Sequence, residues 1–291
     1  MNKICIVIPY FGKWPVWFNF FLKSCEFNPD VNWFFYTDCP ALQSHSTNVR
    51  FFYATINDFN TLASDKLGMN IGIKRSYKIC DFKPALGKIF EDFLVGYDFW
   101  GWGDIDVIYG NFSSFVTPQI LSKYEIITTS MMKLFGPLTI LKNTPKINEL
   151  YKIGGYYKTI FKDGKNYAFD ENLGVNDRKV LFVSPDKLSK ADILSFSCIV
   201  NEALFRKELN VCVVDSKIHM DRKYIEVCIK FDKGRLINLI NNKEMLFIHF
   251  GDKKKSIKSA KIVNDVFYIT NSRSGYFIDK IKSFIGIGDG G

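Results

Sequence analysis

Two carboxylates one residue apart, Asp104 and Asp106, close an apolar and aromatic run that begins Tyr97-Asp98-Phe99-Trp100-Gly101-Trp102-Gly103. Such a run suits a buried strand. On an extended chain residues i and i+2 point to one side, roughly 6.6 Å apart. The pair is therefore placed to share one divalent cation, directly or through its waters. Carboxylate oxygens suit Mg²⁺ or Mn²⁺, and phosphates usually complete such a shell. Gly101, Gly103 and Gly110 let a ligand approach the backbone closely. Two neighbouring aspartates are more often a solvated turn, but surface turns are not normally preceded by so aromatic a strand.

The elements that must position this pair can be read on either side of it. Lys3 to Pro9 reads as a first strand, and the apolar run Ile4 to Phe11, interrupted by Pro9, is short for a membrane span and lacks a small-residue cleavage site. Its continuous apolar run suits a strand of a parallel sheet, buried on both faces. Loops at strand C-termini line the ligand crevice of an open α/β sheet, which makes Pro9, Tyr10 and Phe11 candidates. A helix over Trp14 to Cys25 and a second strand over Val31 to Thr37 follow. Asp38, just after that strand, is either a ribose or base contact or a turn residue before Pro40. Val49 to Tyr53 reads as a third strand, and 55–76 is ambiguous. Pro84 suits the first position of a helix, with Leu86, Ile89, Phe90, Phe93 and Leu94 on its buried face. Lys78 and Lys83 at its mouth either face a phosphate or are ordinary surface lysines. Phe112 to Lys123 reads as partly helical. Glu125 to Thr129 and Pro137 to Leu141 read as strands, and Thr144-Pro145 starts a helix.

A second acidic pair, Asp170-Glu171, follows Tyr167-Ala168-Phe169. Adjacent residues on a strand point apart, so one of the two would face the cleft as a candidate general base. The alternative is an exposed acidic loop. Val180 to Val183, Val211 to Asp215 and Tyr224 to Phe231 read as strands, with a helical stretch around Cys198 to Lys207. Glu244 to Asp252 is a late apolar strand carrying His249, one of three histidines with His45 and His219. A lone histidine after a strand is usually structural, but this one can complete the metal shell begun by Asp104 and Asp106. The run Lys253-Lys254-Lys255 is a solvated loop or, through Lys255, a contact to a diphosphate.

Composition narrows the function classes. The 291 residues are 47% hydrophobic and 24% charged, which describes a globular chain with a sizeable core. The formal net charge of +9 suits a polyanionic partner, but no nucleic-acid-binding signature is present. Seven scattered cysteines without a Cys-x-x-Cys read as reduced core residues of a cytosolic protein and argue against zinc. Tyr276, Phe277, Ile281, Phe284 and Ile285, interleaved with Lys280 and Lys282, either pack on the domain or lie on a membrane surface.

Three segments together resemble a family of bacterial glycosyltransferase-like proteins, the DUF6625 type. They are Ile8-Pro9-Tyr10-Phe11-Gly12 with Trp17-Phe18, Cys80-Asp81-Phe82-Lys83-Pro84 leading into Tyr97-Asp98-Phe99-Trp100-Gly101, and Gly103-Asp104-Ile105-Asp106-Val107-Ile108-Tyr109-Gly110. Gly136-Pro137-Leu138, Phe169-Asp170-Glu171 and Ile248-His249-Phe250 fit as well. The resemblance implies a GT-A-like α/β fold: a Rossmann-like, mostly parallel nucleotide-binding sheet with helices on both faces. It implies that Asp104 and Asp106 hold metal and diphosphate, that His249 is a further metal ligand, and that Pro9, Tyr10 and Asp38 border a nucleotide. The expected organisation is a GT-A domain over 1–255 and a C-terminal extension over 256–291.

The expected activity is metal-dependent transfer of a hexose from a nucleotide-diphosphate sugar to a glycan hydroxyl, in O-antigen or capsule-type polysaccharide synthesis. The donor favoured is a UDP-hexose such as UDP-galactose, with Mn²⁺ or Mg²⁺ as cofactor. A lipid-linked acceptor fits the basic balance and places the protein in the cytoplasm, peripheral to the inner face of the plasma membrane. If the stereochemistry inverts, Asp170 or Glu171 deprotonates the acceptor; if it is retained, they position the sugar. Two rivals stand beside this. A nucleotidyltransferase-type enzyme also uses paired aspartates, but no glycine-rich phosphate loop follows the first strand. A non-catalytic carbohydrate-binding protein needs the aromatics alone.

Overall fold

The computed structural model describes residues 2–42, 46–172, 179–188, 195–214, 216–219, 228–251, 254, 257–259, 265–272 and 275–279. Its strands, in chain order, are β1 (Ile4–Tyr10), β2 (Val31–Thr37), β3 (Val49–Tyr53), β4 (Phe99–Gly103), β5 (Val107–Tyr109), β6 (Ile126–Thr128), β7 (Leu138–Lys142) and β8 (Val211–Val213). They continue as β9 (Lys217–His219), β10 (Cys228–Asp232), β11 (Arg235–Asn238), β12 (Lys243–Glu244), β13 (Phe247–His249), β14 (Ile257–Ser259), β15 (Val266–Ser272) and β16 (Gly275–Asp279). The chain divides into two compact units.

The first unit comprises residues 1–13, 29–104 and 116–215. It is built on one seven-stranded sheet in the order β3-β2-β1-β4-β7-β6-β8. β7 runs antiparallel to β4 and β6, and every other pairing is parallel. The expected mostly parallel α/β architecture is met. Pro9, which has no N–H to donate, lies beyond the part of β1 that pairs with β4. The chain leaves β1 for β2 and β3 on one side and returns on the other as β4, so the strand order reverses between β1 and β4. A ligand crevice is expected there, outside the carboxyl ends of the strands.

A hydrophobic core cluster lies within this unit. Cys5 and Val7 of β1, Trp100 and Trp102 of β4, and Phe82, Leu86, Phe196 and Val200 all belong to it. Burial of such large side chains contributes on the order of 1.5–3 kcal/mol each. Gly101 is required for the sheet to close, since a Cβ there would lie 2.5 Å from the Thr139 carbonyl oxygen on β7.

Three local expectations change. The ambiguous stretch after Tyr53 contains a helix, Ile56–Leu67. It starts with a capping box between Thr55 and Asp58 and stops at Gly68 in the left-handed region, φ 64°. The helix expected to start at Pro84 is instead a run of 3₁₀ turns, Ser76–Ala85, ending in one α turn, Leu86–Ile89. Pro84 cannot donate the i→i−4 bond of a longer α-helix, and the 3₁₀ winding buries Lys78, Asp81 and Lys83 together. Val180 to Val183 is no strand: the Val180 and Leu181 amides both donate to the Met132 carbonyl, which leaves no ladder.

The second unit comprises residues 14–28, 105–115 and 216–291. It holds the helix Phe18–Glu26 and a three-stranded sheet in the order β5-β13-β9. A six-stranded sheet, β12-β11-β10-β15-β16-β14, is antiparallel except for β14–β16. Asn28 ties the helix to the β5 segment, donating to the Ser24 and Gly110 carbonyls and accepting from the Phe112 amide. Gly110 sits where a Cβ would be 2.2 Å from the Met245 carbonyl oxygen. The tail residues Lys280 to Ile285 lie outside the described residues. No helix among the described residues is long and apolar enough to cross a membrane.

Candidate active site

In the first unit, charge gathers where β4 ends. Lys83 is buried, and its Nζ donates to Asp104 Oδ1 at 2.7 Å and to the Gly136 carbonyl at 3.0 Å, with Asp170 Oδ2 at 3.5 Å. Burial alone would discharge this ammonium. The carboxylates of Asp104 and Asp170 outweigh it and hold the Lys83 pKa well above the ordinary lysine value. Asp170 is 3% exposed. Burial, with Glu171 and Asp104 nearby, pushes its pKa up to about 7 although Lys83 opposes the rise.

Asp170 and Glu171 lie in a turn rather than on a strand, so adjacency does not send their side chains to opposite sides. Both reach Gly136: a Cβ there would lie 3.0 Å from Glu171 Oε1 and 3.4 Å from Asp170 Oδ2. Glu171 Oε1 accepts from the Gly136 amide at 2.9 Å, and its Oε2 accepts from Lys133 at 2.5 Å. The turn is held from behind by Asp81, fully buried, whose carboxylate accepts the Tyr167 and Phe169 amides. Ala168 between them takes the left-handed conformation, φ 51°.

Lys78 is neither a surface lysine nor a phosphate ligand in waiting. It is 2% exposed, and its three donors go to Asp81 Oδ2 at 2.8 Å and to the Ile160 and Lys165 carbonyls at 2.6 and 2.5 Å. A buried ammonium needs that full set of acceptors, which makes Lys78 a structural pin for Asp81. Phe11 is likewise a core residue, with its ring edge-on to Tyr36 and Phe59. Pro9 and Tyr10 end β1 half-buried, and the Tyr10 hydroxyl donates to the Lys13 carbonyl. Asp38 Oδ1 accepts from the Gly12 amide at 2.8 Å, so it fixes the loop after β1. Gly12 suits that loop because its φ is 128°.

In the second unit, Asp106 and His249 meet through strand register. β5 and β13 pair antiparallel with Val107 opposite His249, and the Phe250 amide donates to the Asp106 carbonyl at 2.8 Å. This brings His249 Nε2 to 3.5 Å from Asp106 Oδ1. Lys254 Nζ donates to Asp106 Oδ2 at 2.9 Å. Burial would raise the Asp106 pKa, but His249 and Lys254 together hold it well below the usual carboxylate range. Lys255 and His45 lie outside the described residues.

Sequence reading missed Lys133, Asp81 and Lys254 as members of these clusters. Lys254 was within reach as part of a lysine run. Lys133 stands alone between Met132 and Leu134 and carries no local signal. The two acidic pairs and Lys83 were legible, and in the first unit Lys83, Asp104 and Asp170 come together.

Residues 6–276 match a protein family described as a family of unknown function, DUF6625. No curated protein matches the chain. Among solved structures, an active-site mutant of LgtC is similar at 13% identity and a TM-score of 0.40, covering 84% of this chain and 86% of that one. At that TM-score the likeness is no guide to the site. The match over nearly the whole length places the chain in the DUF6625 family.

Proposed function

We propose that this protein is a metal-dependent glycosyltransferase of GT-A type that moves a hexose from a UDP-sugar to a hydroxyl of a growing surface glycan. The observation that carries the reading is the Asp-x-Asp that follows β4 at the carboxyl edge of the parallel strands, where ligands of open α/β sheets bind. Asp104, Asp106 and His249 are the proposed metal ligands. Two carboxylates and an imidazole make a donor set suited to Mn²⁺ or Mg²⁺, with Mn²⁺ the better match for the nitrogen. Such an ion, when bound, neutralises charge on the leaving diphosphate.

The chain's own residues supply the rest. The loop Pro9–Gly12, braced by Asp38, borders the nucleotide. Asp170 is the candidate to receive the acceptor's proton, since a carboxyl near pH 7 in pKa is matched to base catalysis at neutral pH. Lys83 balances the carboxylates around it. A lipid-linked acceptor and a location at the inner membrane face complete the reading, with 256–291 as an appendage to the catalytic domain.

Calorimetry with UDP-, GDP- and CMP-sugars, with and without Mn²⁺, on wild type and Asp106→Asn tests it. Metal-dependent binding of UDP-sugars that is lost in the variant is the expected result. Binding indifferent to both metal and substitution would sink the Asp-x-Asp assignment.

A further inference from the structure

Glu171 differs from Asp170 in having both oxygens engaged. Lys133 holds Oε2, and the Gly136 amide holds Oε1. The Gly136 carbonyl in turn accepts from Lys83, whose Nζ reaches Asp104 Oδ1. The next carbonyl, that of Pro137, accepts the Asp104 amide at 3.2 Å. The Gly136-Pro137 segment thus sets Asp104 twice, through its backbone and through Lys83. Glycine at 136 leaves room for this, because a Cβ would be 3.4 Å from Lys83 Nζ as well as against Glu171.

Resting on the metal-dependent reading above, we propose that Lys133 is a positioning residue for Asp104, acting through Glu171, the Gly136 peptide and Lys83. Carboxylates that bind metals are themselves oriented by hydrogen bonds, and loss of such an outer contact typically costs about 10–100-fold in metal affinity. Lys133 is not the only tether of its loop. The Leu134 amide donates to Ser197 Oγ, and the Phe135 amide to Thr128 and Thr139 Oγ1. The fold is therefore expected to survive its removal. Glu171 becomes a positioning residue too, and the role of proton acceptor falls to Asp170.

The test is titration of Mn²⁺ alone into the full chain, followed by the free-Mn²⁺ electron paramagnetic resonance signal, with melting temperature measured in parallel. Wild type, Lys133→Met, Lys133→Arg, Glu171→Gln and the Lys133→Met/Glu171→Gln double variant are compared. Lys133→Met is expected to bind roughly 10-fold more weakly, with Lys133→Arg restoring most of the loss. The double variant is expected to lose no more than the worse single one, since both act through one chain of contacts. Wild-type affinity in Lys133→Met, or losses that simply multiply in the double variant, overturns the relay while leaving the metal reading standing. No Mn²⁺ binding in wild type removes the metal reading, and the relay with it. Should Lys133→Met fail to fold, Glu171→Gln and Lys133→Arg decide alone: wild-type affinity in Glu171→Gln overturns the relay.

Discussion

Asp170 holds a carboxyl that burial, Glu171 and Asp104 all discourage from ionising, with Lys83 opposing them. Its folded pKa of about 7 stands above the value of 3.8 expected without those neighbours. Between those limits the unfolded chain has released the proton and the folded one has kept it. Unfolding therefore releases a proton, and stability falls as pH rises from about 4 to about 7. Asp170→Asn removes the ionisation and keeps a polar side chain of the same shape. In a chelator the variant is expected to unfold at a higher temperature than wild type at pH 8, by an amount equivalent to roughly 1–3 kcal/mol, and to show little or no gain at pH 4. Thermal melts across that range check it. An equal effect at every pH would mean that Asp170 does not titrate there. Lys83→Met should do the reverse at neutral pH and destabilise, because it leaves Asp104 and Asp170 without the ammonium they share.

At the scale of elements, the sheet is held at its centre by the contact of β4 with β7, and at Gly101 the β7 backbone leaves no room for a side chain. An alanine Cβ would lie 2.5 Å from the Thr139 carbonyl oxygen and 2.9 Å from Ile6 Cδ1. A backbone carbonyl inside a sheet cannot step aside as a side-chain tip can. Gly101→Ala is expected to destabilise by about 1–3 kcal/mol or more, measured by urea unfolding with the slope unchanged. A neutral result would mean that β7 can slide. The strands of the seven-stranded sheet were legible because continuous apolar runs leave few alternatives: β2 and β3 fall where their composition puts them, whereas β9, β11, β12 and β14 to β16 of the second unit were not read as strands. The helix after Tyr53 carried readable signals, Thr55 with Asp58 three residues on and Gly68 at its end, but its mixed polarity hid them. Other departures had no local sign. The 3₁₀ winding of Ser76–Ala85 is sustained by buried partners far along the chain, such as the Ile160 carbonyl for Lys78. The turn at Asp170 depends on Asp81, nearly ninety positions away. Spacing alone reports neither.

Over the whole molecule, the formal charge of +9 sets the sign of the partners it attracts, while cohesion rests on apolar burial without covalent cross-links. All seven cysteines are free thiols, and Cys5, Cys25, Cys39 and Cys198 are buried. Burial pushes the Cys5 thiol up to about 12 and the Cys25 thiol well above its ordinary value. Only the thiolate attacks a disulfide reagent, so these groups are doubly protected, by access and by protonation. Cys80, half-buried and beside Asp170 and Asp104, is raised as well, because burial outweighs the opposing charge of Lys83. Ellman's reagent is therefore expected to label the native protein slowly and mainly at Cys212 and Cys228, and to reach all seven thiols once guanidinium unfolds the chain. The melting temperature should be the same with and without reductant. Fast labelling of Cys5 or Cys25 under native conditions would mean that the strand and helix carrying them open far more readily than their packing implies. A melting temperature lowered by reductant would mean that a disulfide contributes to stability, against the free thiols of this fold.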